Sequence, residues 1–452
     1  MTLRRTRGDG LRSCASRRAG DAARREQSPG GALLVRNDGS RFPEPRTPVK
    51  VLLDLSVLAT ATTTRGIGRY VSDLALELCR LAEERSDVQL LGVEALPWLG
   101  RTRVSDDVRG SVERLVLRPR RQAHAAWAYQ VRLSLPRAVR KAAPDVLHSG
   151  HPNATPVGRV ACPRVVTCHD LIPLVYPEHH TDWRDGGARG RLHLDRRRFH
   201  RADHVIAISH ATANDLMMRL DVPRAKITVV HNGVDLSRWK PEPRSDDAAV
   251  RVAHGLNSPY LLCVGAANWR KNSEGVMQGL VRARRQIGKN DLVVAWAARL
   301  GKDDQERVLS AAHAAGVADA VKLLGYVSDP DLAALYRGAT AQVFVSRAEG
   351  FGYPVVEAMA SGCPVITSNR SSLIEIADGA ALTVDPEDAD AIADAIVLLA
   401  DDNGERHRLR ARGIARAERF SLRRMAEQTL EVYASVARPG PRGARTSTGV
   451  GP

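Results

Sequence analysis

The sequence predicts an α/β protein made of two facing, doubly wound parallel-sheet domains, with a last helix that crosses back to the first domain. Three observations carry this. From Val49 onward, short apolar runs alternate with helical stretches, and each run has the length of a strand buried on both faces. The alternation stops at a proline-containing link and then restarts. The chain has 452 residues, and domains usually hold about 100–200.

The first domain opens with "VKVLLDLS", a glycine turn "TTTRGIGRY" and the helix "VSDLALELCRLAEE", whose apolar or small residues recur at 71, 74, 75, 78 and 82. Strands follow at "VQLLGVEA", "DVLHSG", "RVVTCHD" and "HVIAIS", and "KITVVHNGVD" ends this half. "LSRWKPEPRSDDAAV" reads as the link. The second domain runs from "YLLCVGA" through "RKNSEGVMQGLVRARRQI", "DLVVAWAA", "DDQERVLSAAHAAG", "AVKLLGYV", "DPDLAALYRGA", "AQVFVS", "PVVEAMASG" and "PVITS" to "DADAIADAIVLLA". A final helix begins after "RFS", with Ser421 as its N-cap; it comes too late for the repeat and is expected to pack on the first domain. The resulting boundaries are 1–48 (tail), 49–238, 239–420, 421–437 (crossover helix) and 438–452 (tail).

Two such sheets turn their strand carboxyl ends and helix amino ends toward a shared cleft, where ligands bind. In "SRAEGFGYPVVEAMASGCP", Glu349 follows a strand, Gly350 and Gly352 permit close backbone approach, and Pro354 suits the first position of a helix that Gly362 ends. The helix amino end favours a phosphate. Glu357, one turn in, is better suited to accepting hydrogen bonds from hydroxyls than to touching that phosphate, so the two glutamates bracket a diphosphate. The plainer reading is a loop charge and a helix-start charge.

Arg270 and Lys271 open another helix, where cations do not help the dipole and an anionic ligand accounts for them better; a solvated basic turn is the alternative. Gly325, Tyr326 and Val327 end a strand where backbone groups can meet a planar base. Gly66 and Gly68 stand directly before a helix, but not as GxGxxG, and Glu94 is the only loose candidate for the acidic residue a dinucleotide site needs. His169 and Asp170 end a strand at the cleft edge, as a structural pair or as ligands. The D-x-D at 388–390 opens a helix, where acids are favoured by the dipole, and is read as no metal site.

The net charge of +16 raises nucleic acid or an anionic surface as partner. Most of the excess lies at the ends: residues 1–48 hold 11 Arg against five acids, and 438–452 hold three Arg and no acid. The first end lacks a secretory apolar stretch and reads as disordered or as translated from an upstream start; the second is too rich in Gly and Pro to pack. Aromatics at 4% are too few for stacking platforms, which argues against nucleic acid. The six cysteines lack CxxC spacing, pointing to a reducing cytoplasm rather than zinc or disulfides. The basic and apolar run "RLVLRPRRQAHAAWAYQVRLSLPRAVRKAA" reads as a solvated helix face, or as contact with an anionic membrane.

With these pieces together, residues 49–437 resemble the family 4 glycosyltransferases, retaining enzymes of GT-B fold with two Rossmann-like domains, and in particular a mannosyltransferase-like group. The most specific mark is E-x7-E in "EGFGYPVVE", followed by "AMASGCPVITS"; "GIGRYV", "HDLIPLVYP", "ADHVIAISHATANDL", "ITVVHNGVD", "RKN" and "GYVSDPDLAALYRGA" support it.

The resemblance implies that Lys271 and Arg270 bind the donor diphosphate, and that Glu349 with Gly350, Phe351 and Gly352 holds the transferred sugar. Glu357 is implied to bind ribose and Val327 to meet the base through its backbone. Gly66 and Gly68 match the loop near the diphosphate, and His169 the histidine near the transferred sugar. It further implies a nucleotide-sugar donor, a glycan, lipid-linked or small-molecule acceptor, no metal or other cofactor, and same-face substitution aided by the leaving phosphate. One departure is Ala266, where many relatives carry Arg. The competing readings are a GT-B epimerase or phosphorylase, against which E-x7-E argues, and a basic nucleic-acid-binding protein. The expected location is the cytoplasm, either free or peripheral at the membrane's inner face.

Overall fold

The computed structural model describes residues 48–60, 66–96, 101–117, 133–179, 187–288 and 291–437. The two predicted tails, apart from Pro48, and half of the basic run at 114–143 lie outside these residues. Among the described residues, no helix is long and apolar enough to cross a membrane.

Two sheets form. The first orders its strands β3-β2-β1-β4-β5-β6-β7, with β1 Val49–Asp54, β2 Val88–Leu96, β3 Arg101–Ser105, β4 Val146–Ser149, β5 Arg164–Cys168, β6 His204–Ala207 and β7 Ile227–Val229. The second orders them β10-β9-β8-β11-β12-β13, with β8 Tyr260–Val264, β9 Val293–Ala297, β10 Val321–Gly325, β11 Ala341–Phe344, β12 Val365–Ser368 and β13 Leu382–Val384. Every pairing is parallel except β2 with β3. Strands such as β4, β9, β11 and β12 are buried along their whole length, as expected of parallel sheets covered by helices on both faces. Strand order reverses between β1 and β4 in the first sheet and between β8 and β11 in the second, and such switch points are where doubly wound sheets open a crevice.

The last helix, Leu422–Val436, crosses to the first sheet. Ser421 caps it by accepting the Arg424 N–H, and Met425, Ala426, Leu430, Val432 and Tyr433 join the core formed by β1 and helix Gly66–Glu84. Val234 donates its N–H to the Phe420 carbonyl at 2.7 Å just before the crossing. A Cβ on Gly233 would stand 2.6 Å from the Leu422 Cα, so this position must be glycine for the two segments to meet.

A buried polar chain fixes the crossover helix. Tyr433 Oη lies 2.6 Å from His148 Nδ1, His148 Nε2 lies 2.8 Å from Thr167 Oγ1, and Tyr70 Oη lies 2.9 Å from the same oxygen. Burial pushes the His148 imidazole from 6.5 down to about 3. Between those values the unfolded chain binds a proton that the folded chain refuses, so His148 costs about 1.4 kcal/mol of stability per pH unit as pH falls below 6.5. His148→Asn is therefore expected to be less stable than the parent at pH 7, with a gap that narrows steadily toward pH 4 in urea midpoints. A gap that stays constant with pH would contradict this.

Several expectations need correction. Gly66 and Gly68 lie within the first turn of helix Gly66–Glu84, not ahead of it. The link contains a helix, Asp247–Ala253, and its Trp239 is fully buried in the second core. Pro354 is the second residue of its helix, since Tyr353 begins it. β3, helix Ser371–Ala377, β13 and helix Asn403–Ala417 were not predicted.

Candidate active site

The cleft between the sheets holds a cavity of about 520 Å³, bordered by Gly66, Arg69 and His169 of the first and by Lys271, Glu349 and Glu357 of the second, among others. Its chemistry begins at the β8/β11 switch point. After β8, residues Trp269–Lys271 form one tight turn that ends on Asn272 in the left-handed region (φ 55°). Asn272 caps the next helix through Gly275 N–H, and its side-chain amide donates to the Pro386 carbonyl at 2.6 Å. The Arg347 N–H donates to the Arg270 carbonyl at 2.7 Å, tying this turn to the segment after β11. Neighbouring strand ends thus bring together residues 77 positions apart.

Glu349 is the centre of the arrangement. Its carboxylate lies 2.9 Å from Lys271 Nζ and 3.3 Å from Arg270 Nη1. Burial alone would raise its pKa, but Lys271 and then Arg270 outweigh that and hold it below the usual carboxylate value. Burial, with Arg270 beside it, presses the Lys271 ammonium down against the pull of Glu349. The backbone of Glu349 is held by serines: its N–H donates to Ser371 Oγ at 3.0 Å, while Ser372 Oγ donates to the carbonyls of Glu349 and Phe351. Gly352 adopts φ +121°, a conformation that glycine alone takes readily.

On the opposite wall, His169 directly follows β5 and is buried. Its Nε2 lies 2.8 Å from the Gly150 carbonyl, which can only accept, so Nε2 carries the hydrogen. Burial lowers its pKa, against weaker opposing pulls from Gly150 and Asp170. The neutral ring therefore offers Nδ1 as an acceptor. Glu357, 4% exposed, is paired with Arg69 from the first sheet's helix. Arg69 had no place in the sequence reading.

Other predicted positions are less direct. Gly66, Gly350, Phe351 and Gly352 border the cavity; Gly68 is buried inside its helix and does not. The Val327 side chain is buried in the second core, so only its backbone can serve a ligand, and it does not border this cavity. Glu94 is taken by Ser111 Oγ at 2.8 Å and by Arg114, both on the helix Val108–Leu117 of the first domain. Asp388 caps helix Ala389–Asp401 by accepting the N–H groups of Asp390 and Ala391. The aromatic contact of His179 with Trp269, ring centroids 3.6 Å apart, joins the walls at the turn carrying Lys271. Away from these residues, His210, His231 and Glu375 bring three metal-ligating atoms within 4.8 Å of one another. Glu375 there already accepts the His210 N–H at 3.0 Å, capping that helix from the other domain.

Residues 64–238 match the family described as Glycosyltransferase Family 4, and residues 246–416 the one described as Glycosyl transferases group 1. The O-antigen chain mannosyltransferase B of Escherichia coli is 30% identical over 378 residues, covering 81% of this chain and 95% of the relative. The serotype-specific mannosyltransferase WbdA of Escherichia coli is 26% identical over 314 residues, covering 66% of this chain but only 37% of the relative. Among solved structures, Anabaena Alr3699/HepE in complex with UDP-glucose shares the fold with a TM-score of 0.64 at 18% identity, covering 85% of this chain and 99% of that one. The sucrose-phosphate synthase of Thermosynechococcus elongatus gives 0.65 at 22% identity, covering 86% and 99%.

Proposed function

The chain belongs to the family 4 glycosyltransferases and is a hexosyltransferase, and from that premise we propose that it moves mannose from GDP-mannose, with retention, to a glycan or lipid-linked acceptor in polysaccharide or glycoconjugate biosynthesis. The observation that carries the reading is the meeting of Lys271, Arg270 and Glu349 at a switch point, beside a glycine turn that opens a helix amino end onto the cleft. The mannosyl donor is supported by the mannosyltransferase relatives.

In this reading residues 239–420 take the donor and 49–238 the acceptor, with 421–437 joining them. The acceptor hydroxyl attacks the anomeric carbon on the face the diphosphate leaves. The carbon–oxygen bond to the diphosphate breaks, and the leaving phosphate oxygen takes the acceptor's proton. Lys271 and Arg270 stabilise the charge that develops on that phosphate. Glu349 and the backbone of Gly350, Phe351 and Gly352 orient the sugar, with His169 Nδ1 accepting from one of its hydroxyls. Glu357 takes the ribose hydroxyls, the backbone at Val327 meets the base, and Gly66 faces the diphosphate. With two cations at the leaving group no metal is required, so EDTA should leave the rate unchanged.

The acceptor side carries a groove of about 880 Å³ lined by Arg101, Arg103, Arg137 and Lys141 among others, which suits the anionic surface of a membrane bearing a lipid-linked acceptor. A thermal-unfolding screen against GDP-, UDP- and ADP-sugars tests the donor. The largest rise in Tm is expected with GDP-mannose, because a ligand bound to the folded state stabilises by mass action. A rise with a UDP-sugar alone would overturn the assignment of the base.

A further inference from the structure

Arg69 joins the two walls of the cleft at a position the assigned roles leave unexplained. It stands in the first turn of helix Gly66–Glu84, yet its Nη1 meets Glu357 Oε1 of the other sheet. Asp73, one turn along the same helix, lies 3.5 Å from its Nε, and the Tyr353 ring centroid is 4.9 Å below the guanidinium carbon. The second arm of the fork, Nη2, is buried without a hydrogen-bond partner. A buried donor left unmade costs stability, and a planar two-armed donor is the shape that fits phosphate oxygens. Arg69 borders the same cavity as Lys271 and Glu349.

Two anions therefore have a claim on one guanidinium. Glu357 holds one arm in this structure, while a donor diphosphate can engage both. Glu357, in turn, cannot offer that oxygen to ribose hydroxyls while Arg69 occupies it. We infer that Arg69 is a donor-binding residue that exchanges Glu357 for the diphosphate, releasing the carboxylate to the ribose. The exchange is short in reach, because Asp73 keeps the guanidinium at the cleft wall while its partner changes. This inference rests on the reading of Glu357 as the ribose holder.

The test compares binding of guanosine with GDP, and of uridine with UDP, by isothermal titration to the parent protein, Arg69→Ala, Arg69→Lys and Glu357→Gln. Arg69→Ala should weaken the nucleoside diphosphate by about tenfold, the loss of one charge-assisted contact. It should also tighten the nucleoside, since the carboxylate no longer has to be freed. Arg69→Lys, which keeps the charge and loses the fork, should fall between, and it serves if the alanine variant does not fold. A fixed strut between the domains predicts a different pattern: both ligands change by the same factor in Arg69→Ala and Arg69→Lys, which would overturn the inference. Glu357→Gln separates the premise. If it leaves nucleoside binding untouched, the ribose assignment fails and the exchange fails with it; if it weakens the nucleoside while the Arg69 variants leave the ratio unchanged, the exchange alone is refuted.

Discussion

Lys271→Ala is expected to lower kcat by about 10²–10³-fold, the usual loss when one fixed charge stabilising a developing anion is removed. Under the proposed mechanism the leaving diphosphate gains charge as the anomeric bond breaks, and Lys271 is the more enclosed of the two cations beside it. The loss should appear in kcat and kcat/KM together, because the contact matters most in the transition state. The fold should survive: Glu349 keeps Arg270 at 3.3 Å, so no buried carboxylate is stranded. Glu349→Ala is expected to abolish transfer as well while lowering Tm further, since it leaves Lys271 and Arg270 facing each other without their shared anion. Initial rates, with far-UV circular dichroism and thermal unfolding as controls, check both variants. Full activity in both would refute the assignment of the site.

This centre was legible in the sequence because its parts are local: a strand end followed by basic residues, and a strand end followed by a glycine turn and a helix. What locates Lys271 against Glu349 is the adjacency of β8 and β11, which the alternation of elements implies. Arg69 was not legible for the opposite reason. It reads as one more basic residue on an amphipathic helix, and its partner Glu357 is 288 residues away on another domain. Ser371 and Ser372, which fix the glycine turn, lie in a helix the sequence reading passed over because it is seven residues long and carries no extended apolar stripe. β3 was missed because "RTRVS" alternates charged and small residues on an antiparallel edge, unlike the continuous apolar runs of the buried strands. Trp239 reads as part of a link because its neighbours are charged and proline-rich, and only the packing against Tyr336, ring centroids 5.8 Å apart, shows it as core.

Gly350→Ala should separate donor binding from transfer. A Cβ at this position would lie 2.2 Å from the His169 carbonyl oxygen and 3.0 Å from Asp170 Cβ, so the glycine turn of one domain rests directly on the β5 end of the other. The first obstacle is backbone, which cannot swing aside as a flexible side chain does, and the methyl group must therefore push the walls apart. In the proposed reaction Glu349 and Lys271 hold the donor on one wall while His169 and the acceptor stand on the other, so separation by even about 1 Å is expected to cost about 10²-fold in kcat/KM. Lys271, Arg270, Glu349 and Glu357 lie on the second domain and remain together, and only the donor contacts of Gly66, Arg69 and His169 are drawn back, so stabilisation by the nucleotide sugar should fall far less than transfer does. Gly352→Ala should differ again. With φ +121° and a Cβ only 2.7 Å from Leu373 Cδ2, it strains the turn itself and should impair donor binding along with transfer. Thermal shift with the donor beside initial rates distinguishes the two glycine variants, and normal turnover in Gly350→Ala would show that contact between the walls at this point is dispensable for catalysis.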